Sequence, residues 1–379
     1  MLVYKYLIHV KITEFIKKHP SISPFLQLSA DTLFYINHKF YKRRYSSEAV
    51  LIISLHKLGD TIFTIPAINY FISNSNKKIT ILCFEESKVL YDLEFIEEDR
   101  IDYLIVPKDY LRWEGRLVFQ KGKNNLLGKE KFGTIIDLTG TILSASVLFR
   151  TQADKIVGIN DIYFRKIYDN HLPIRNGSHL MDIYFDSISL TTPLKNISKF
   201  KMFKPSFRTD DPILIHPLAG WKEKEWGLKK FIELAELLSE YHPIKIVLPK
   251  SGIAKDILFD GLSNPVKIVV TNTLNELISE IKNSSVLISN DSGPIHIASL
   301  LGKATFTIYG PTNPIMHIPN GSHHSYIQKK LSCAPRPENK YCFADAGRNG
   351  CPSNECMQQL KISEVFNTII LFLHKLKII

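Results

Sequence analysis

Residues 288–314 read ISNDSGPIHIASLLGKATFTIYGPTNP, and the order of structural patterns in this stretch indicates the fold class. A strand ends in VLISN, and Asp291 and Ser292 can then cap a helix whose first position suits Pro294, because proline has no N–H to leave unpaired there. The run ATFTIYG predicts a second strand, which ends in a tight turn at Gly310. A strand, a helix and a strand in this order are typical of a parallel α/β sheet.

The start of the same helix predicts an anion site. Gly293 allows a ligand to approach the backbone, and the unpaired N–H groups and dipole of a helix N-terminus favour phosphate. His296, in the first turn, could donate to a phosphate oxygen or have a purely structural role. The stretch therefore predicts a site for a nucleotide-type diphosphate.

The same alternation continues towards the N-terminus. PILIHPLAG, LKKFIELAELLSEY, IKIVLP and KIVVTN predict a strand, a helix and two further strands. The earlier half opens with EAVLIISL and TIFTIPAINYFI, and we expect strands over 78–84, 103–106 and 134–138. The fold class predicted is α/β, with two Rossmann-like doubly wound sheets and a ligand cleft between the carboxyl ends of their strands.

These patterns predict four parts. They are a basic amphipathic extension over 1–45, a Rossmann-like domain over 46–205, a second over 206–360 and a C-terminal helix over 361–379. The last segment, KISEVFNTIILFLHKL, carries its apolar residues on one helical stripe, so we expect it to pack against the protein.

Composition excludes several classes of protein. The chain has 379 residues, of which 45% are hydrophobic and 22% charged, so most of it should be folded. No apolar run reaches the roughly 18–20 residues of a membrane-spanning helix. The N-terminus lacks the pattern of a secretion signal, so we expect a cytoplasmic protein.

The basic charge is concentrated at the N-terminus. The net charge is +11, and residues 1–45 contribute +6 of it, with eight Lys or Arg against Glu14 and Asp31. Interleaved apolar residues suit an amphipathic segment that lies on an anionic membrane surface. A helix packed on the protein with a solvated basic face explains the pattern equally well. No nucleic-acid-binding motif is present, so we expect no nucleic-acid partner.

Two further blocks contain candidates for chemistry. In KLGDTIFTIPAI, Gly59 allows a turn after the strand, and Asp60 could cap the next helix or act as a general base. In HPLAGWKEKEW, a lysine such as Lys224 could neutralise a phosphate, although a solvated basic loop explains the lysines as well.

The three blocks resemble glycosyltransferase family 9, the ADP-heptose:lipopolysaccharide heptosyltransferases, in order and spacing from about Ala49 to Ile369. The resemblance implies a GT-B architecture. It also implies inverting transfer of heptose from ADP-heptose to a hydroxyl of the lipopolysaccharide core, with no required cofactor or metal. Asp60 would be the catalytic base and Lys224 the phosphate-neutralising lysine, with Lys57 and Gly59 on the acceptor side. The donor would be held by Ala219, Gly220, Asp291, Ser292, Gly293, Pro294, His296 and Gly310.

The sequence departs from the family pattern at three places. Leu218 and Ala219 follow the HP of the second block, and Gly227 replaces the proline that often follows its tryptophan. The third departure follows the strand IKIVLP, where the acidic residue expected to hold the adenosine ribose is not evident and Asp256 is the one candidate.

The cysteines leave three interpretations open. Cys83 stands alone, whereas the loop over 333–356, here called the cysteine loop, contains Cys333, Cys342, Cys351 and Cys356. The four could be free thiols, ligands of iron or zinc, or bridges. Protein heptosyltransferases that resemble family 9 carry a four-cysteine iron finger, which implies protein O-heptosylation as a second possible activity. A non-catalytic sugar-nucleotide-binding module and a membrane-surface scaffold are also compatible with the sequence.

Overall fold

The computed structural model forms two compact units, Met1–Arg175 with Met181–Ile197 and Asn176–Leu180 with Ser198–Ile379. Each unit contains a six-stranded sheet. The residues that the structure describes are 28, 29, 31–33, 35, 36, 39, 40, 47–106, 127, 131–148, 151–159, 165–250, 266–342, 351 and 353–379.

The first unit alternates strands and helices. Its elements are β1 (Val50–Ser54), α1 (Leu58–Ser73), β2 (Ile79–Phe84), α2 (Glu85–Phe95), β3 (Ile101–Val106), β4 (Phe132–Asp137), α3 (Ile142–Leu148), β5 (Ala153–Ile159) and β6 (Asn170–Leu172), followed by α4 (Leu180–Ser189). All neighbouring strands are parallel, in the order β3-β2-β1-β4-β5-β6. The chain leaves β1 on one side and returns on the other, so a topological switch point lies between β1 and β4.

The second unit repeats this plan. Its elements are β7 (Ile213–His216), α5 (Leu228–Ser239), β8 (Ile244–Pro249), β9 (Val266–Thr271), α6 (Leu274–Lys282), β10 (Val286–Asn290), α7 (Gly293–Leu300), β11 (Ala304–Tyr309), α8 (Pro314–His317), β12 (His324–Gln328), α9 (Glu355–Gln358) and α10 (Ile362–Leu376). The order is β12-β11-β10-β7-β8-β9, again all parallel. Here the switch point lies between β7 and β10.

The topology confirms the predicted α/β class with two Rossmann-like doubly wound sheets. Every residue of β1 and of β10 is buried, as expected for central strands covered on both faces. Ligands of such sheets bind outside the carboxyl ends of the strands at the switch point. The three sequence blocks follow β1, β7 and β10, so each lies at a switch point.

The C-terminal helix α10 packs on the second sheet, as its apolar stripe predicted. Val365, Ile369 and Leu373 are fully buried, and the ring of Phe372 lies 5.8 Å from that of Phe306 in β11. No helix in the described part of the chain is both long and apolar enough to cross a membrane.

Two adjacent histidines lie buried at the start of β12. The rings of His323 and His324 are 3.9 Å apart, and His324 Nδ1 lies 2.8 Å from Thr305 Oγ1. Burial, with repulsion from His323, lowers the pKa of His324 to about 3.

This pair predicts acid sensitivity. Below its ordinary pKa of 6.5 the unfolded chain protonates this imidazole whereas the folded chain does not. The free energy of unfolding should therefore fall by up to about 1.4 kcal/mol per pH unit from about pH 6.5 towards pH 3. In denaturant titrations His324→Asn should flatten this dependence, and substitution of the exposed His374→Asn should not. Identical slopes for His324→Asn and the native chain would contradict the assignment.

Candidate functional site

The loop after β7 is fastened to the end of β10 at the switch point of the second unit. Ser289 Oγ donates to the carbonyl oxygen of His216 at 2.6 Å. Asn290 Nδ2 donates to the Pro217 carbonyl at 2.6 Å, and Asn290 Oδ1 accepts from the Trp226 N–H at 3.0 Å. These bonds bring the second and third sequence blocks together at one edge of the sheet.

A buried ion pair lies at that edge. Lys224 Nζ is 2.5 Å from Asp291 Oδ2, with the two side chains only 15% and 3% exposed. Thr312 Oγ1 donates to the same carboxylate oxygen at 2.7 Å. Burial by itself raises the pKa of Asp291, but the charges of Lys224, His317 and His296 together outweigh burial and hold that pKa well below its usual range. The Asp291 carboxylate is therefore ionised at neutral pH.

Two histidines surround the Asp291 carboxylate. His296 Nε2 lies 4.0 Å from Asp291 Oδ1, and both His296 and His317 favour its charged form. Burial lowers the pKa of His317, although Asp291 acts in the opposite direction. The resulting cluster places cationic and donor groups around one acid, where a phosphate could share them.

The start of α7 differs from the sequence expectation in its capping. The helix begins at Gly293, so Pro294 is its second residue, and Ser292 is the N-cap by its backbone. The Ser292 side chain makes no capping bond and instead lies 3.1 Å from Ser289 Oγ. Asp291 does not cap either, because its carboxylate accepts from Lys224 and Thr312. Ser292 thus occupies the predicted N-cap position without a side-chain capping bond, whereas the predicted capping role of Asp291 is wrong.

The remaining donor-side candidates have different surroundings. The N–H of Ala219 donates to Glu225 Oε1 at 3.1 Å, and the position of a Cβ on Gly220 is open. A Cβ on Gly310 would lie 2.9 Å from Met357 Cε, so this glycine makes room for that side chain. The Trp221 ring faces Lys224 Nζ at 5.2 Å from its centroid.

The family departure at Gly227 has a backbone explanation. Gly227 is the N-cap of α5 with φ of 113°. Proline is fixed near −65°, so it cannot occupy this position in the observed conformation. Asp256, the candidate for the ribose, lies outside the described residues.

The first block lies at the switch point of the first unit. Helix α1 begins at Leu58 with Lys57 as its N-cap, so Gly59 and Asp60 are its second and third residues. The predicted turn at Gly59 and the predicted capping role of Asp60 are therefore wrong: the turn is made before Leu58. Asp60 is half-buried and Lys57 is exposed.

Buried hydroxyl groups line the other side of α1. Thr61 Oγ1 and Ser87 Oγ are 2.9 Å apart, Thr64 Oγ1 lies 2.8 Å from the Tyr91 hydroxyl, and that hydroxyl donates to Ser54 at 2.6 Å. These bonds fix the first turn of α1 against β1 and α2. The carboxylate of Asp60 is consequently presented by a rigid element.

Several neighbours of these residues are not singled out by the motifs that the sequence reveals. Burial and then the charge of Asp60 raise the pKa of Tyr184 well above its usual value, and the Tyr184 ring lies 5.2 Å from that of His56. Thr312 and His317 also escaped notice. The signal for Thr312 was its place two residues after Gly310, at the carboxyl end of a strand beside β10.

All five cysteines are free thiols. Burial, and then the charges of Cys342, Cys333 and Cys351, raise the pKa of Cys356 to about 11, so Cys356 lies within electrostatic reach of the other three thiols. Among the described residues, which include all four, no group of three or more His, Cys, Asp or Glu side chains is arranged to hold a metal ion. The residues therefore do not fit an iron or zinc centre in this conformation.

Comparison with known proteins bears on the family and the fold of the chain. The sequence model of glycosyltransferase family 9 (heptosyltransferase) matches residues 124–344. Lipopolysaccharide heptosyltransferase 1 of Campylobacter coli is 26% identical over 298 residues, which cover 69% of this chain and 84% of that protein.

Two solved structures are similar at low identity. E. coli heptosyltransferase WaaC with ADP has a TM-score of 0.62 at 16% identity and covers 86% of this chain and 99% of its own. The iron-containing dodecameric glycosyltransferase TibC from enterotoxigenic E. coli has a TM-score of 0.52 at 12% identity, covering 88% and 77%. These likenesses concern the fold alone, and they confirm the GT-B type. Because the family model matches more than half of the sequence, the chain belongs to glycosyltransferase family 9, the heptosyltransferases, and is an enzyme.

Proposed function

We propose that the enzyme transfers a heptose from ADP-heptose to a hydroxyl group of the lipopolysaccharide core, with inversion at the anomeric carbon. The observation that carries the proposal is the Lys224 ammonium, held on buried Asp291 beside the start of α7 at the switch point of the second sheet. This is where a doubly wound sheet binds phosphates. The relative from Campylobacter coli, named for the same transfer, supports the choice of sugar.

In the proposed reaction Asp60 accepts the proton of the acceptor hydroxyl. The hydroxyl oxygen attacks the anomeric carbon, whose bond to the phosphate oxygen breaks, and ADP departs with the electron pair. Lys224 and the N-terminus of α7 stabilise the charge that develops on the departing diphosphate. Ala219, Gly220 and Gly293 leave the backbone near the donor accessible, and Lys57 and Gly59 lie on the acceptor side. No step in this scheme uses a metal ion.

Product analysis tests the proposal. The full-length enzyme is incubated with ADP-heptose and truncated lipopolysaccharide acceptors, with and without EDTA, and the products are weighed by mass spectrometry. We expect addition of one heptose to the glycolipid at the same rate in both conditions. Heptose on a polypeptide would instead favour protein O-heptosylation, and ADP binding without transfer would favour a binding module. Inhibition by EDTA would contradict the metal-free scheme.

We also propose that the enzyme works in the cytoplasm at the inner face of the inner membrane, through residues 1–45. In the described part of this segment, apolar side chains are strongly exposed, for example Leu28 at 65% and Phe40 at 77%. Arg165 binds Asp31 at 3.1 Å and ties the segment to the rest of the first unit. Apolar side chains next to basic ones suit an anionic lipid surface.

Vesicle sedimentation tests the membrane proposal. The full chain should bind vesicles that contain anionic lipid and leave them at high salt, because each basic residue near the surface contributes about 1 kcal/mol. Deletion of 1–45 should abolish sedimentation but preserve transfer to a water-soluble acceptor fragment. Equal binding to zwitterionic vesicles would refute the electrostatic part. If the deletion also abolished transfer, a role as a membrane-surface scaffold would gain support.

A further inference from the structure

The turn after β11 holds Asp291 in place. Its residues Thr312 and Asn313 are both buried. Thr312 donates to the carboxylate oxygen that also binds Lys224. A displacement of this turn therefore changes how Asp291 holds the lysine.

The first arm of the cysteine loop, residues 336–342, is fastened to the same turn. The side-chain amide of Asn313 donates to three carbonyl oxygens, those of Arg336 (3.1 Å), Pro337 (3.2 Å) and Asn339 (3.0 Å). Backbone contacts add to this attachment. The Asn313 N–H donates to the Lys340 carbonyl oxygen at 3.1 Å, and the Cys342 N–H donates to the Pro311 carbonyl oxygen at 2.8 Å. Thr312 also forms an antiparallel β-bridge with Tyr341. Asn313 thus connects the turn to a segment more than twenty residues away in sequence.

A second arm, residues 356–360, reaches the site from the other end of the loop. Met357 fills the space above Gly310. The Trp226 indole N–H donates to the Leu360 carbonyl at 2.9 Å, and Lys230 Nζ donates to the carbonyls of Met357, Gln358 and Leu360 at 2.9, 3.0 and 3.2 Å. Both arms therefore contact the donor site, and each carries cysteines of the loop or adjoins them.

We propose that Thr312 and Asn313 are positioning residues that couple the first arm of the cysteine loop, residues 336–342, to the donor site, so that the position of this arm determines how Asp291 holds Lys224. This inference rests on the proposed function, because ADP is the ligand through which the coupling is read. Coupling between two sites is reciprocal. The free energy by which ADP binding biases the first arm must therefore equal the free energy by which that arm biases ADP binding.

The test uses the full chain and the substitution Asn313→Ser. Serine is as good an N-cap as asparagine, so the start of α8 is preserved while the amide that reaches the three carbonyls is lost. Asn339→Ser is the matched control, since it changes an exposed side chain and keeps its carbonyl. ADP affinity is measured by calorimetry. Alkylation of each cysteine is measured by mass spectrometry with and without ADP, with buried Cys83 as the reference.

We expect Asn313→Ser to weaken ADP binding about tenfold, the equivalent of one or two hydrogen bonds, and Asn339→Ser to leave it unchanged. ADP should slow alkylation of the loop cysteines in the native chain but not in Asn313→Ser, a difference that a purely structural role would not produce. Equal ADP affinity and equal protection in both would overturn the coupling. If Asn313→Ser does not fold, the native chain alone tests the coupling. ADP that binds the native chain without any change in cysteine alkylation would overturn the coupling. A native chain that binds no ADP overturns the proposed function itself.

Discussion

Asp60→Asn should lower kcat by about 10²- to 10⁴-fold, the usual contribution of a positioned general base. The amide keeps the size of the carboxylate but cannot accept the acceptor proton. ADP affinity should be unchanged, because the proposed donor residues all belong to the second unit. Steady-state kinetics with ADP-heptose and a lipopolysaccharide acceptor, together with ADP calorimetry, measure both quantities.

The matched control is Glu85→Gln. Glu85 is an exposed acid in the first turn of α2, so this change removes the same kind of helix-terminal charge without touching α1. We expect its kcat to stay within about twofold of native, since a surface charge near a helix end contributes less than about 1 kcal/mol. If Asp60→Asn retained the native kcat, Asp60 would not be the general base, and the fold assignment would be unaffected.

Lys224→Met should both destabilise the protein and reduce turnover. Removal of one partner from a buried ion pair leaves an uncompensated charge, and such changes cost about 3–5 kcal/mol. Loss of a group that stabilises transition-state charge typically lowers kcat by about 10²- to 10³-fold. Denaturant unfolding and steady-state kinetics measure the two effects separately. Lys222→Met, in the exposed neighbouring residue, should leave both quantities near native.

A second substitution separates the two roles of the lysine. In Lys224→Met with Asp291→Asn, no buried charge remains unpaired, so most of the stability should return while turnover stays low. The pKa of Asp291 is depressed in the folded chain, so the stabilisation by the pair is present above about pH 4 and is lost at lower pH. The stability gap between native and Lys224→Met should therefore narrow on acidification. A pH-independent gap, or full turnover in the double variant, would contradict this account.

The central parts of the fold could be predicted because their sequence patterns are local. The apolar runs of β1 and β10 are each followed by a helix, and that alternation defines a doubly wound sheet. β5, β6 and β12 were not predicted. Strand β5 carries the exposed Asp154, β6 has only three residues, and β12 reads HSYIQ, so none shows a clear apolar run.

The candidate site could be predicted only in part. Asp60, Lys224 and Asp291 lie in motifs that sequence reveals. Their partners depend on residues distant in the chain: Asp291 meets Lys224 across 67 positions and Thr312 across 21. The capping rule uses only neighbouring residues, so it predicts that Asp291 caps α7. In the structure the Asp291 carboxylate instead binds Lys224 and Thr312.

The Lys224–Asp291 pair also bears on discrimination among cellular anions. The ammonium is already neutralised by a carboxylate 2.5 Å away, so it offers little net attraction to a passing phosphate or nucleic-acid strand. An incoming ligand must share the lysine with that acid, so other contacts must supply the binding free energy that the neutralised lysine does not. A monophosphate has few such contacts, whereas a nucleoside diphosphate has many. Low affinity for abundant small anions is thus an expected result of pairing the lysine in advance.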